Sequence, residues 1–346
     1  MTEQPPIQTT PVGALRFNTD TSKLEYFDGY QFVNITTDSP EQHTGGTRGL
    51  FQLGYTTSYV TDVDFANIST TGNAQDFGFM TTKRGNGSFC FGSRTRDIRG
   101  NGYEVPANTS TNVMDFCTIA STGSFADFGD AKKKVEGASG VSDSVRGIHS
   151  HGFQRTDWAY QADLQVTTIA HLGSTVDSGF DAQVVHHSNG ASCASPVRGI
   201  FAGGNPTTTN VIDYITIQTL GKTHDFGDLT TGANEGPNMA SNAVRGIYFC
   251  GSPNGVTNTN TISFITLATL GNAQDFGDST YATRGHMCTS SSTRVVRAGG
   301  YVAPTAVNNM DYVTISTRGD AINFGDLTTA ARGSGAANSN GHGGLG

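Results

Sequence analysis

The sequence predicts an all-β protein: a six-bladed, kelch-like β-propeller preceded by a small N-terminal β-meander. Three observations carry this expectation. An arginine-centred segment recurs six times, about 49 residues apart, which is a propeller period rather than that of a leucine-rich, ankyrin or tetratricopeptide repeat. Each copy breaks into short runs of β-branched and aromatic residues separated by Gly, Asn and Thr. No stretch of useful length has the 3.6-residue periodicity of an amphipathic helix.

The N-terminal residues divide as an arm at 1–10, a module at 11–36 and a linker at 37–46. In the module, Leu15-Arg16-Phe17, Leu24 to Phe27 and Gln31 to Ile35 read as strands, with Asp28-Gly29 as a tight hairpin turn. So few residues cannot hide their own apolar side chains. Phe17, Leu24, Tyr26, Phe27, Tyr30 and Phe32 are therefore the expected docking face.

The propeller is expected over 47–343, its repeats led by Arg48, Arg96, Arg146, Arg198, Arg245 and Arg294. The fourth copy is the clearest. Val197 to Gly204 reads as a strand ending in a glycine pair, and Val211 to Ile217 alternates as a second strand. A third segment surrounds Asp225-Phe226-Gly227-Asp228, and the looser Asn234 to Ala243 has room for a fourth, weaker strand. Small sheets of this kind bury both faces and protect their edges by radial stacking. The strand that closes the ring is not fixed by the sequence, and a permuted outer strand supplied by the N-terminal linker is one candidate for it. An open solenoid or a pair of sandwiches is the competing architecture.

Asp-Phe-Gly recurs too often to be catalytic, and neither a Gly-rich nucleotide loop nor a kinase catalytic loop accompanies it. It reads as a turn in which Asp accepts local backbone hydrogens and Gly permits the bend. Phe77, Phe128, Phe226, Phe276 and Phe324 should then be buried at equivalent places between blades. The six arginines read as inter-blade clamps onto carbonyls or aspartates, with a ring lining the axial channel as the alternative.

The third repeat departs from the others. It lacks the glycine pair and contains Trp158, the single tryptophan, near Tyr160, together with His186-His187. These four residues form a candidate partner- or glycan-binding patch; a tryptophan packed against the next blade is the alternative. No carboxylate or cysteine spacing supports a metal site at these histidines. No nucleophile elbow, zinc-protease helix or P-loop is present, so neither an enzyme nor a cofactor is expected.

Composition narrows the classes further. Charged residues make up 14%, and 21 Lys and Arg against 29 Asp and Glu give a net charge of -8 with no basic stripe, which argues against nucleic acid. No apolar run is long enough for a membrane span. Five scattered cysteines form no C-x-x-C pair and fit a reducing compartment better than a disulfide scaffold.

The run from Gly13 through Phe17-Asn18-Thr19-Asp20-Thr21 and Leu24-Glu25 to Asp28-Gly29 resembles short modules of tailed-bacteriophage fibres and adhesins. The repeat blocks “STGNAQDFG”, “VRGIFAGG” and “MDYVTIST” look like repeat-rich virion proteins of phages infecting marine cyanobacteria. The resemblance implies a non-enzymatic virion component, assembled in the host cytoplasm, that docks through its N-terminal module to tail, neck or fibre proteins. A homotrimer is among its implications. The alternative function is an adhesin that recognises a carbohydrate or receptor on the host surface.

Overall fold

The computed structural model describes residues 10–18, 23–34, 46–105, 107–150, 152–181, 187–206, 208–233, 235–332 and 336–346. Two compact units result, 1–44 and 45–346.

The first unit is an antiparallel meander of Leu15–Asn18, Lys23–Phe27 and Phe32–Asn34. Asp28 organises its second turn by accepting the backbone N–H groups of Tyr30 and Gln31, each at 2.8 Å. Arg16 pairs with Glu25 at 2.7 Å and lies 3.7 Å from the centre of the Phe32 ring. Phe17, Leu24, Tyr26 and Tyr30 are exposed and Phe32 is half-buried. Phe27 departs from the expected docking face. It is buried, with its ring 5.2 Å from that of Phe32.

The second unit contains six four-stranded antiparallel sheets. From inner to outer strand, sheet 1 is Ala337–Ser339, Arg48–Gln52, Asp62–Asn67 and Gln75–Phe79. Sheet 2 is Phe89–Gly92, Arg96–Gly100, Val113–Thr118 and Ala126–Asp130, and sheet 3 is Ser139–Ser142, Arg146–Ser150, Asp163–Thr168 and Val176–Asp181. Sheet 4 is Ala191–Ala194, Arg198–Ala202, Val211–Thr216 and His224–Asp228. Sheet 5 is Asn238–Ser241, Arg245–Phe249, Thr261–Thr266 and Gln274–Asp278; sheet 6 is Met287–Ser290, Arg294–Ala298, Asn309–Thr314 and Ile322–Asp326.

Two details of the expected topology need correction. The weak strand before each arginine is the innermost strand of the same sheet; sheet 1 receives its inner strand from 337–339, and its outer strand is Gln75–Phe79 rather than one from the N-terminal linker. The Asp-Phe-Gly segment is the outermost strand, not a turn. Its glycine sits opposite a bulge in the third strand, as in Ile212↔Gly227, and the register shifts at the next residue.

That glycine is required at five of the six junctions. A Cβ on Gly227 (φ +145) would lie 2.6 Å from the carbonyl of Gly271, and one on Gly277 2.5 Å from that of Gly319. The close approach lets Gly271 N–H donate to Phe226 O at 2.9 Å, and Gly319 N–H to Phe276 O at 2.9 Å. Phe77, Phe128, Phe226, Phe276 and Phe324 are all buried beneath these latches, each edge-on to a ring of its own third strand.

The six arginines link neighbouring sheets. Arg48 donates to Ala120 O, Arg96 to Ile169 O, Arg146 to Ile217 O, Arg198 to Leu267 O and Arg245 to Ile315 O, at 2.6–3.0 Å. Arg294 of sheet 6 donates to Ser69 O beside sheet 1 at 2.9 Å. Each guanidinium therefore satisfies a carbonyl of the following sheet and does not line a channel. Five also lie against a ring of their own sheet: Phe65, Phe116, Tyr214, Phe264 or Tyr312. Val166 stands in that place beside Arg146.

Candidate functional site

The inner strands lie side by side around a cavity of about 670 Å³. Most are rich in small residues, as in Ser139-Gly140-Val141-Ser142 and Ala191-Ser192-Cys193-Ala194, because each is flanked by two neighbours; Phe89–Gly92 of sheet 2 instead brings Phe89 and Phe91. At their C-terminal ends serine hydroxyls stitch one strand to the next. Ser142 Oγ donates to Gly92 O at 3.0 Å, Ser241 Oγ to Ala194 O at 2.6 Å and Ser290 Oγ to Ser241 O at 2.7 Å.

Residues 342–345 lie across this end. His342 accepts the N–H of Gly344 at Nδ1, and its Nε2 meets Gly92 O at 3.0 Å. Arg94 holds Leu345 O at 3.0 Å. Burial pushes the His342 imidazole down to about 4, so this ring is neutral near pH 7.

The opposite mouth is where the repeats cease to be alike. Tyr55 and Tyr59 come from the sheet 1 loop, Tyr301 from the Tyr301–Val302/Thr305–Ala306 hairpin of sheet 6, Arg284 and Glu235 from the segments preceding inner strands, and Arg332 from the approach to Ala337–Ser339. The two loop tyrosines meet edge to face, 5.2 Å between centres. The guanidinium of Arg332 lies between two rings, 5.0 Å from the centre of Tyr55 and 4.0 Å from that of Tyr301. Arg284 stacks 4.9 Å from the Tyr301 centre and pairs with Glu235 at 3.3 Å. Asn205 adds an amide to the same rim.

The rim extends from Tyr59 to Tyr103 of the sheet 2 insertion, 5.5 Å between ring centres. Arg155 lies 4.5 Å from the centre of Tyr103 and pairs with Glu136 at 3.0 Å. Burial, with the Tyr103 hydroxyl and the Glu136 carboxylate nearby, raises the Tyr59 phenol pKa, so this hydroxyl remains a neutral donor and acceptor. An arc of touching rings flanked by cations thus runs around one side of the mouth, with amides and carboxylates beside it.

The expected patch on the third repeat is split. Trp158 is 74% exposed at the tip of the Phe153–Gln154/Ala159–Tyr160 hairpin, and Tyr160 is half-buried against Phe153 at 5.2 Å. His187 is not part of that surface. It is wholly buried, with Nδ1 2.6 Å from Gly203 O and Nε2 3.3 Å from Asp213. His186 lies outside the described residues. Among the described residues no group of three or more His, Cys, Asp or Glu is placed to hold a metal ion. The five cysteines are unpaired, and burial raises the thiols of Cys90 and Cys193 to about 12, far from reactive thiolates.

Sequence reasoning missed the mouth residues because they are scattered over nearly 280 positions, from Tyr55 to Arg332. One signal was available. A second Arg-Gly recurs at Arg84-Gly85, Arg284-Gly285 and Arg332-Gly333, each followed by an inner strand. Arg84 is buried against Asp115, whereas the other two face the cavity.

No protein-family model matches the chain, and no curated protein matches it. Among solved structures 435 chains match. One of them, the structure of YjhT, has a TM-score of 0.62 at 9% identity and covers 81% of this chain and 96% of that one. The likeness establishes an all-β propeller-type fold. It gives no support to a phage structural component. The virion, tail and particle-docking readings drawn from the sequence blocks are therefore withdrawn.

Proposed function

We propose that the second unit is a closed six-bladed, kelch-like propeller that binds carbohydrate at the mouth of its axial cavity, without catalysing a reaction. Support for closure comes from Ala337–Ser339 pairing with Arg48–Gln52 and from Arg294 reaching Ser69 O. The glycine pairs Gly203-Gly204 and Gly299-Gly300, all at positive φ after the second strand, support the kelch-like comparison.

The observation that carries the binding reading is the convergence of Tyr55, Tyr59, Tyr301, Arg284, Arg332, Glu235 and Asn205 on one polar cavity. Sugar rings present apolar C–H faces and a rim of hydroxyls, and this mouth offers aromatic faces beside amide, guanidinium and carboxylate partners. The aromatics are not repeated blade by blade because different repeats contribute different groups to a single site. A binding role also accounts for the acidic groups, since Glu235 and Glu136 are each tied to an arginine.

The test is direct binding of the full chain to a panel of bacterial lipopolysaccharide and capsular oligosaccharides, beside Tyr55→Ala and Arg332→Ala. A saccharide should bind the wild type and lose at least tenfold in affinity with each variant, while the melting temperature stays within a few degrees. No binding across the panel, or binding indifferent to both substitutions, contradicts the reading.

A further inference from the structure

We propose that the sheet 3 hairpin forms a distal subsite for a sugar ring of a chain-like glycan, with Trp158 as its platform. The proposal rests on carbohydrate binding at the mouth and extends that site outward. Trp158 is 74% exposed although it is the largest apolar side chain of the molecule. Its backbone is held in the left-handed region at φ 51, an uncommon and strained conformation for a bulky residue. A hairpin under no functional demand would place Gly or Asn there.

The indole is also supported. Phe153 meets it edge to face at 5.7 Å, and Tyr160 backs Phe153 at 5.2 Å. Polar groups surround the loop. Gln154 Nε2 donates to Thr156 Oγ1 and to Asp157 Oδ2, both at 2.8 Å, which fixes an amide and a carboxylate in the tryptophan's own turn. Ring face and planar polar groups together match the chemistry of a pyranose.

The hairpin is connected to the mouth by defined contacts. Arg155, three residues before Trp158, pairs with Glu136 at 3.0 Å and stacks on Tyr103, which meets Tyr59 of the cavity. Glu136 and Phe153 also exchange backbone hydrogen bonds at 2.7 and 3.0 Å. A glycan anchored in the cavity is thereby directed along this ridge toward the indole. The occupant is a polysaccharide chain of several residues; a single sugar ring occupies the mouth alone.

Trp158 is the single tryptophan, so its fluorescence reports on this subsite without a label. The probes are monosaccharide and tetrasaccharide fragments of the capsular polysaccharide that binds the wild type, added to the full chain. The tetrasaccharide should shift the emission to shorter wavelength and the monosaccharide should leave it unchanged, while calorimetry registers both. Trp158→Ala should weaken the tetrasaccharide at least tenfold, leave the monosaccharide affinity unchanged and melt with the wild type. A tetrasaccharide that binds with unmoved emission and unchanged affinity in the variant overturns the subsite and leaves the mouth intact. Equal losses for both fragments with a lowered melting temperature overturn it as well, because Trp158 would then be structural. If neither fragment binds in calorimetry, the mouth reading falls and the subsite with it.

Discussion

The junction between sheets 4 and 5 and the junction between sheets 3 and 4 are made from the same repeated segments, yet only the first is closed along its outer edge. Between sheets 4 and 5, Phe226 O and Asp228 O accept Gly271 N–H and Ala273 N–H at 2.9 and 2.7 Å, and Gly227 lies against Gly271. Between sheets 3 and 4, Ser178 replaces the phenylalanine and Val166 its aromatic neighbour. Gly179 has open space where its counterparts touch backbone, and among the described residues no hydrogen bond joins Ser178 or Phe180 to Gly221 or Thr223. The inner part of this junction keeps its ties. Arg146 donates to Ile217 O and Gln218 O at 2.9 and 2.8 Å, and Ser192 Oγ to Gly140 O at 2.9 Å. The arginine and the inner strands therefore hold adjacent sheets together, and the outer latch is an addition that one junction does without.

The largest effect should come from the outer glycines. Gly227→Ala adds a backbone clash to the cost of positive φ and should destabilise by about 4 kcal/mol. Gly179→Ala (φ +77) meets no atom and should cost only about 1 kcal/mol. Equal losses of melting temperature would erase the distinction between the two junctions. Phe226→Ala removes a buried ring and should cost about 3 kcal/mol in denaturant unfolding. Ser178→Ala should stay within about 0.5 kcal/mol.

Acid should act on the inner part of sheet 3. Burial pushes the His149 imidazole down to about 3, an effect that Asp163 and Gln165 only partly offset. His286 is also held at about 3, by burial and by Arg297. The unfolded chain therefore takes up these protons first. Their contribution to stability is full above about pH 6.5 and falls toward pH 3, by about 1.4 kcal/mol per unit for each of the two histidines. His149→Phe, which keeps the stacking on Phe89 at 4.0 Å, should remove one histidine's share of that slope. An unchanged slope between pH 6 and 4 would mean that His149 is already protonated in the fold. The smallest contrast concerns the clamps. Arg245→Met loses two carbonyl bonds and a ring contact, about 3 kcal/mol together, and Arg146→Met loses only two carbonyl bonds, about 2 kcal/mol.

The parts legible in the sequence are those in which a single repeat carries its own signal. The second and third strands announce themselves by β-branched alternation, as in Val211-Ile212-Asp213-Tyr214-Ile215-Thr216, and the buried phenylalanines by their recurrence. Inner strands such as Asn238-Met239-Ala240-Ser241 are buried at every position and have no alternation to detect. Asp-Phe-Gly resembles a turn in sequence because its glycine serves contact with the neighbouring sheet, which no window of one repeat contains. The mouth was illegible for the same reason, since Arg332, Tyr55 and Tyr301 become neighbours only when the first and last sheets meet.

Carbohydrate binding at the mouth is tested most directly by hydrogen exchange of the full chain with and without the saccharide selected by the panel. Protection should concentrate at 53–60, 284–286, 299–302 and 332, leaving the outer latches at Gly271 and Gly319 unchanged. Protection confined to the outer strands or to the N-terminal meander, with the mouth exchanging as in the free protein, would contradict it.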